Sequence, residues 1–396
     1  MRPYVKAAER KVYLKVEVPR PDVVSRVLGD APDRHAQLYC GFRTAITLAT
    51  DNGVFGFEIA GLDYDVIQFF VEGSLKILEG RDGWLFLDND TNQSVEQFCG
   101  ELLLGRLERR AWSDYLDSLH DLAAEYHCAY AVLIAPAKEM VMSDYYPHLK
   151  GPTTPVEQVE KLARPDHKVV HPTERMRRSS EQMFRVCDTH WTHKGALCGL
   201  MAVLEVLGLD IASIETFFEK DNFKERLRGG DLGNKMFPRR SAREWMPSGI
   251  SYRQWVRYDN HLPNMGRVLV THKKNALVAA KCLIFGSSSS YTMLDYVARV
   301  FTDVIFVHSA GNIDATVVAK ESPDFLIAQT NGRFVVRPPV VGYQLADEIA
   351  EKWSGLSEDS RVEVIGNQAH WLKSGLSESG ARYHSLLLAS SVPSNS

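Results

Sequence analysis

The stretch AAKCLIFGSSSS, residues 279–290, decides the fold of this chain. Its apolar run from Ala279 to Phe285 predicts a buried strand. Gly286 and the four serines after it predict a tight turn that exposes hydroxyl groups. A serine on a tight turn directly after a strand is a common way to present a hydroxyl nucleophile. The stretch therefore predicts a central strand of a sheet and a candidate nucleophile at its end.

The residues that follow alternate between strand and helix patterns. We predict strands at residues 303–307 and 324–328, with helices at residues 293–301 and 314–320 between the strands. This order is typical of a doubly wound parallel sheet, and the fold class is therefore α/β. Elsewhere we predict helices at residues 102–126, 156–162, 197–207 and 344–353, and strands at residues 129–135, 168–171, 362–365 and 383–389.

The beginning of the chain has a different pattern. Residues 11–18 alternate as in a half-buried strand, residues 37–49 and 53–60 predict further strands, and residues 62–78 predict one more strand and a connector. We therefore predict a small β-rich domain at residues 1–78 and a catalytic α/β domain at residues 79–396. The β-rich domain is interpreted either as a packing or oligomerisation module, or as a carbohydrate-binding module in which aromatic rings stack on sugars. The candidate rings are Tyr39, Phe42 and Phe55.

An acid and an imidazole lie two residues apart in the segment DTHW, residues 188–191. Extended backbone would send both side chains to the same face. Asp188 could then hold His190 in one tautomer and leave the other ring nitrogen free to accept a proton. The serine turn supplies a nucleophile, so the sequence predicts a Ser-His-Asp acyl-transfer site. His193 is the competing base, although we predict that it lies in the first turn of the following helix.

Five motifs occur in a fixed order: GRDGWLF (residues 80–86), IAPAKE (134–139), DTHW (188–191), GDL (230–232) and FGSSS (285–289). In this order they resemble the SGNH-type hydrolase domain of the alginate O-acetylation proteins, which acetylate bacterial exopolysaccharides. The resemblance spans residues 79–345 and implies an SGNH-like fold with Ser288 as the nucleophile. The acid and base precede the serine, as in the permuted arrangement of those proteins. Ser287 departs from the family, in which many members carry an aspartate that orders the turn.

Placement at the ends of strands, where open α/β sheets bind their ligands, indicates roles for other residues, and residues 329–333 also resemble the asparagine block of SGNH enzymes. Asn331 would donate its amide to the oxyanion, alongside the backbone N–H groups of Ser288 and Gly311. Arg333 would stabilise charge or hold a sugar hydroxyl, and Tyr291 would line the cleft. Asn331 could equally cap a turn, and Arg333 could equally form a surface ion pair.

Composition narrows the range of partners. The 396 residues carry a formal net charge of −4, which gives no electrostatic basis for binding nucleic acid. No apolar run approaches the ~20 residues that span a bilayer, and residues 1–6 do not resemble a signal peptide. The six cysteines are scattered without metal-binding spacing, so we expect free thiols, no metal site and a cytoplasmic location.

The family resemblance implies a polysaccharide or sugar O-acetyltransferase that forms an acyl-enzyme. A carbohydrate acetylesterase and a catalytically silent carbohydrate-binding scaffold remain as alternatives. We expect no bound cofactor, but an acetyl donor is required, and acetyl-CoA and a membrane partner both remain open. The expected partners are a carbohydrate acceptor and the machinery of polysaccharide synthesis.

Overall fold

A computed structural model of the chain describes residues 1–7, 10–32, 35–42, 52–70, 76–236 and 238–391. The chain forms two compact units. The first unit comprises residues 1–76 with residues 233–240, and the second comprises residues 77–232 with residues 241–396. The short segment 233–240 was not assigned to the N-terminal domain by the sequence.

The first unit contains an antiparallel sheet in the order β2-β1-β3-β4. Its strands are β1 Arg2–Ala7, β2 Arg10–Tyr13, β3 Asn52–Ile59 and β4 Leu62–Phe70, and its short helix is α1 Pro21–Val23. The predicted β-rich character of this region is confirmed. The strand predicted at residues 11–18 is wrong in length, because it ends at Tyr13. Residues 43–49 of another predicted strand lie outside the described residues.

The second unit contains the large sheet. The strands of the second unit are β5 Ile77–Glu79, β6 Leu85–Leu87, β7 Ala129–Ala135, β8 Val169–Val170, β9 Phe223–Arg228, β10 Ala242–Pro247, β11 Val256–Asp259, β12 Val268–His272, β13 Val278–Gly286, β14 Phe301–His308 and β15 Phe325–Asn331. Within the described ranges, seven of them form one sheet in the order β11-β12-β14-β13-β15-β7-β8. Strands β14, β13, β15, β7 and β8 are parallel, which confirms the predicted α/β fold. β11 and β12 run antiparallel because the short turn between them allows only a hairpin.

Helices cover both faces of this sheet. They are α2 Ser94–Cys99, α3 Arg106–Glu125, α4 Lys138–Val141, α5 Pro155–Leu162, α6 Thr173–Arg177, α7 His193–Val206, α8 Ile211–Phe218, α9 Gly230–Gly233, α10 Ser290–Val300, α11 Ala315–Glu321, α12 Leu345–Ser354, α13 Glu358–Ser374 and α14 Glu378–Ser391. Strand β13 shows why both faces are covered. Cys282 and Ile284 pack into the core on one face, and Leu283 and Phe285 pack into the core on the other. A strand buried on both faces reads as a continuous apolar run, as this one does.

The two strands predicted near the C-terminus are wrong. Residues 362–365 lie inside α13, and residues 383–389 lie inside α14. In α14 the buried side chains Tyr383 and Leu387 are four residues apart, which is the spacing of one helix face. Short apolar runs without a clear period do not distinguish a strand from a buried helix segment.

Strands β9 and β10 form a regular antiparallel hairpin between α8 and β11. No helix in the described part of the chain is long and apolar enough to cross a membrane. No disulfide bond joins any of the cysteines, all of which lie within the described ranges.

The carboxyl ends of the parallel strands β13, β14, β15 and β7 meet at one edge of the sheet, where open α/β sheets bind their ligands.

Candidate active site

Three side chains from distant parts of the second unit form a hydrogen-bonded chain at this edge. Ser288 lies in the short turn between β13, which ends at Gly286, and α10, which begins at Ser290. Its Oγ lies 3.0 Å from Nε2 of His190. On the other side of the ring, His190 Nδ1 lies 2.7 Å from Oδ1 of Asp188. These are the contacts of a Ser-His-Asp triad, in which the imidazole can accept the serine proton while the carboxylate orients the ring.

The pairing of Asp188 with His190 has a different geometric cause from the one that we predicted. Residues 186–190 form turns and bends, not extended backbone. Oδ1 of Asp188 makes two contacts with His190. It accepts a hydrogen bond of 2.8 Å from the backbone N–H, and it lies 2.7 Å from Nδ1 of the ring. A side chain that accepts from the backbone two residues later closes an Asx turn. The local turn therefore fixes both groups of the pair at once.

Other groups hold the second carboxylate oxygen of Asp188. The backbone N–H of Asp231 donates to Oδ2 at 3.1 Å, and the Arg185 guanidinium lies 3.8 Å from the same atom. Burial by itself raises the pKa of the Asp188 carboxyl, but the hydrogen bonds from His190 and the nearby positive charges outweigh burial and lower it. Asp188 is therefore an anion and gives the His190 ring a negatively charged partner. Gly230 must lack a side chain here, because its φ is +68° and a Cβ would lie 2.4 Å from the Cβ of Asp188.

Two residues order the loops that carry the triad. Lys138 is only 4% exposed, and its Nζ donates to the carbonyls of Leu85, Val186 and Asp188 at 2.6, 2.9 and 3.0 Å. Burial lowers the pKa of the Lys138 ammonium to about 7. Asp231 accepts a hydrogen bond of 2.8 Å from the backbone N–H of Thr189 and another from the Thr189 hydroxyl. Through these contacts, Lys138 and Asp231 hold the loops that carry Asp188 and His190.

Gln329, to which we assigned no role from the sequence, orders the serine turn at residues 286–290. Its Oε1 accepts from the backbone N–H of Ser287 at 2.7 Å, from Ser287 Oγ at 3.0 Å and from Ser290 Oγ at 2.7 Å. Gln329 is fully buried, so these bonds are shielded from water. A glutamine from the neighbouring strand β15 thus orders the turn that contains Ser287. The only signal in the sequence is a polar residue inside the apolar run of β15.

Trp191 connects the segment that carries Asp188 and His190 with the turn that carries Ser288. Its indole Nε1 donates to the Ser289 carbonyl at 3.0 Å, and its ring is 2% exposed. The aromatic residue after His190 therefore fixes the serine turn relative to the loop that carries His190. The sequence identified Trp191 only as part of a motif.

Asn331 lies beside the serine turn at residues 286–290. Its Nδ2 lies 3.4 Å from Ser289 Oγ, a long and weak hydrogen bond. Its Oδ1 accepts from the backbone N–H of Arg333 at 3.1 Å and caps the 3₁₀ turn Gly332–Phe334. The two alternatives for Asn331 are therefore compatible, because the oxygen caps the turn while the amide nitrogen faces the serines.

Gly311 and Tyr291 lie beside the same turn. Gly311 has a φ of +96°, and its carbonyl accepts a hydrogen bond of 2.7 Å from the hydroxyl of Tyr115. Tyr291 lies in the first turn of α10, and its hydroxyl is 3.1 Å from Nδ1 of His308. Burial lowers the pKa of His308 to about 4, so its ring is neutral when it shares a hydrogen bond with the Tyr291 hydroxyl.

His193 is engaged elsewhere. It is the first residue of α7, as predicted, and is only 5% exposed. Its Nε2 lies 3.2 Å from Oδ2 of Asp295, and its Nδ1 lies 3.8 Å from Oε1 of Glu244. Burial opposes the charged form, but the two carboxylates outweigh burial and raise the pKa of His193. His190, and not His193, contacts the serine.

One group of side chains in the described ranges has the composition of a metal site. Ligand atoms of Asp188, His190 and Asp231 lie within 4.8 Å of one another. Two carboxylates and an imidazole suit a divalent transition metal. The same atoms of Asp188 and His190 bond to each other, so a metal ion would have to displace the contact that orients the imidazole.

Comparison with protein-family models and with curated protein sequences finds no match for this chain. Solved structures give matches at low identity. PatB1 of Bacillus cereus, solved with a sulfonyl adduct, is 13% identical with a TM-score of 0.47 over 66% of this chain and 98% of that chain. The O-acetyltransferase domain of Pseudomonas putida AlgJ is 15% identical with a TM-score of 0.37 over 74% and 99%. A DHHW family protein from Eubacterium siraeum is 10% identical with a TM-score of 0.42 over 74% and 97%. At these identities and scores the similarity assigns no function to this chain.

Proposed function

We propose that the protein is an O-acetyltransferase that transfers an acetyl group to a carbohydrate hydroxyl through an acyl-enzyme on Ser288. The observation that carries this proposal is the chain of two contacts, 3.0 Å from Ser288 Oγ to His190 Nε2 and 2.7 Å from His190 Nδ1 to Asp188 Oδ1. The motif order that resembles the alginate O-acetylation proteins supports the transferase over other acyl-transfer chemistry.

In the first half of the reaction, Ser288 Oγ attacks the carbonyl carbon of the acetyl donor while His190 Nε2 takes the hydroxyl proton. The tetrahedral intermediate then collapses. The bond from the acyl carbon to the leaving group of the donor breaks, and that group receives the proton from His190. Acetyl remains on Ser288 as an ester.

In the second half, a sugar hydroxyl gives its proton to His190 and attacks the acyl carbon of this ester. Collapse of the second intermediate returns the proton to Ser288 and releases the acetylated sugar. The proposed oxyanion donors are the backbone N–H of Ser288, the amide of Asn331 and the backbone N–H of Gly311. Each such donor typically contributes about 3 kcal/mol to stabilising the transition state. The weak contact of Asn331 with Ser289 Oγ leaves its amide able to turn to the oxyanion.

The test is to incubate wild type and Ser288→Ala with a chromogenic acetyl ester, with and without oligosaccharide acceptors. Acetyl-CoA serves as a second donor in parallel. We expect release of the chromophore that depends on Ser288, and an acetylated oligosaccharide when an acceptor is present. Release without any acetylated sugar would identify an acetylesterase. Full activity of Ser288→Ala would refute the mechanism, and no activity in wild type with any donor would favour the silent scaffold.

A further inference from the structure

Four charged side chains form a row behind the triad, and we call them the charge chain: Asp295, His193, Glu244 and Arg185. Nε2 of His193 lies 3.2 Å from Oδ2 of Asp295, and Nδ1 of the same ring lies 3.8 Å from Oε1 of Glu244. Nε of Arg185 donates to that Glu244 oxygen at 3.1 Å. Because the two carboxylates raise the pKa of His193, negative and positive charges alternate along the row.

The two ends of the charge chain lie on the two segments that carry the triad. Asp295 belongs to α10, the helix that begins two residues after Ser288. At the other end, the backbone N–H of Arg185 donates to the carbonyl of His190 at 3.2 Å. The side chain of Arg185 also approaches the triad, since its Nη1 lies 3.8 Å from Oδ2 of Asp188. The charge chain therefore connects the helix behind the serine with the carboxylate behind the imidazole.

The middle of the charge chain is costly to bury. Glu244 is 3% exposed, and its Oε2 has no hydrogen-bond partner among the residues that the structure describes. Arg185 and protonated His193 are the opposite charges that offset this burial. Well-packed apolar side chains often stabilise a core at least as well as a buried ion pair does. The position of Glu244 beside Arg185 therefore points to a role in arranging charge at the site.

The distances around Arg185 show what this role is. At 3.8 Å from Oδ2 of Asp188, the guanidinium is too far away for a hydrogen bond but close enough to stabilise the negative charge. Glu244 holds the guanidinium there through the bond of 3.1 Å to Nε. A movement of about 1 Å would bring Arg185 into hydrogen-bond distance of Asp188, and a guanidinium can bond both oxygens of a carboxylate at once. That pairing would compete with His190 for Asp188.

We propose that Glu244 is a positioning residue that restrains Arg185 and so leaves the Asp188 carboxylate bonded to His190. In this arrangement the guanidinium supports the negative charge of Asp188 without taking either of its oxygen atoms. His193 completes the restraint, because its charged ring attracts the same oxygen of Glu244 that bonds Arg185. The inference rests on the proposed function, because it names a residue that positions the acid of the proposed triad.

The test depends on a rescue. Glu244→Gln removes the restraint but keeps the size of the side chain, so Arg185 should then bond Asp188 and draw it from His190. Adding Arg185→Gln removes the competitor, so the double variant should recover. A purely structural role predicts the opposite. The double variant has then lost both partners of a buried ion pair and should be no better than Glu244→Gln alone.

The first readout needs no catalysis. In Ser288→Ala, the Nδ1 proton of His190 that bonds Asp188 should give a far-downfield ¹H NMR signal, identified by its loss in His190→Gln. We expect Glu244→Gln to remove this signal or move it upfield, and the double variant with Arg185→Gln to restore it. A folded Glu244→Gln protein that keeps the parental signal would overturn the proposal, and so would a folded double variant that does not restore it. Absence of the signal from Ser288→Ala itself would also overturn it, because the proposal requires the bonded pair.

Ester hydrolysis with Ser288 intact is the second readout, and it separates this inference from the proposed function. Glu244→Gln should lower kcat by about tenfold or more at nearly unchanged KM, and adding Arg185→Gln should recover most of the loss. A rescued NMR signal without Ser288-dependent hydrolysis would support the positioning role and refute the enzyme. Hydrolysis with a kcat that Glu244→Gln leaves unchanged, or that the double variant does not recover, would refute the positioning role alone.

Glu225→Gln is the matched control. Glu225 lies on β9 of the same hairpin, and its partly exposed carboxylate pairs with Arg243 at 3.2 Å. Loss of this surface charge should change neither the NMR signal nor kcat. Equal losses in Glu225→Gln and Glu244→Gln would show a general effect of the hairpin and would overturn the role of Glu244. Thermal unfolding establishes that each variant is folded, and Glu244→Met and Arg185→Met replace any glutamine variant that is not.

Discussion

Asp188→Asn tests the triad most directly, because the substitution keeps the size of the side chain and removes its charge. Oδ1 of Asp188 accepts from two N–H groups of His190, and Oδ2 accepts from the backbone N–H of Asp231. An asparagine has only one oxygen. If it faces His190, its NH₂ group meets the N–H of Asp231; if it faces Asp231, its NH₂ group meets the two His190 donors. The first orientation loses the hydrogen bond from Asp231, and the second loses both hydrogen bonds from His190, so at least one native hydrogen bond is lost.

The size of the effect follows from two contributions. Loss of the attraction between the carboxylate and the imidazolium that forms during the reaction costs about 4 kcal/mol, for charge centres about 4 Å apart at an effective dielectric constant of about 20. Loss of one hydrogen bond to a charged group costs about 1.5 kcal/mol. Together these raise the barrier enough to lower kcat by about 10⁴-fold, since each 1.4 kcal/mol is about tenfold. KM should change little, because Asp188 is not expected to contact substrate.

The assay is the hydrolysis of a chromogenic acetyl ester at pH 7.5, with circular dichroism to establish that each variant is folded. Asp231→Asn is the matched control. Its carboxylate lies 3.7 Å from His190 Nδ1 without bonding it, and its hydrogen bonds go to Thr189. We expect Asp231→Asn to lower kcat less than about tenfold, the range of an exposed charge interaction. If Asp188→Asn kept kcat within tenfold of wild type, or if both variants lost equal activity, Asp188 would not be the acid of the triad.

Three further outcomes are expected. Lys138→Met should lower the free energy of unfolding by about 3 kcal/mol in urea titrations, because it removes three hydrogen bonds to backbone carbonyls; an unchanged midpoint would contradict the ordering role. Gln329→Met should lower kcat about tenfold or more at nearly unchanged KM, since the serine turn loses three hydrogen bonds; unchanged kcat would show that the turn orders itself. The pKa of His193 is raised in the folded protein. The stabilisation that protonated His193 contributes is therefore complete below the unfolded-state pKa of about 6.5 and is lost as pH rises through the folded-state pKa. The difference in unfolding free energy between wild type and His193→Gln should therefore shrink from pH 6 to pH 9, and a difference that grows with pH would refute the ion pairs with Asp295 and Glu244.

The convergence of Ser288 with Asn331 was predictable because each follows a strand of a parallel sheet, and such strands end at one edge. The proximity of His190 to Ser288 was not predictable from local patterns, since His190 lies in a loop without strand or helix periodicity. The chemistry of an acid-imidazole pair and a serine turn suggested the connection, and the resemblance in motif order supported it. Sequence reasoning assigned the carboxylate-imidazole pair to extended backbone, whereas the Asx turn of Asp188 produces the same pairing from a bent chain.

The contributions that sequence reasoning missed depend on contacts between distant segments. Gln329 reaches the serine turn from the neighbouring strand, and no spacing rule connects positions 287 and 329. The same holds for Arg185, whose Nε lies 3.1 Å from Oε1 of Glu244 on β10. The C-terminal helices were missed for a local reason, because their short apolar runs fit either a strand or one face of a helix.

The position of β7 in the sheet has a consequence for how the chain folds as it leaves the ribosome. Seven residues of β7 pair with β15, from Ala129 with Phe325 to Asn331 with Ala135, while β8 offers pairing at only two positions. Translation proceeds at about 5–20 residues per second, so a nascent β7 waits on the order of 10–40 s for its main partner. Throughout that interval an almost wholly apolar strand has no complete neighbour. We expect nascent chains that end between β7 and β15 to depend on chaperones and to form the most aggregation-prone intermediate of this protein.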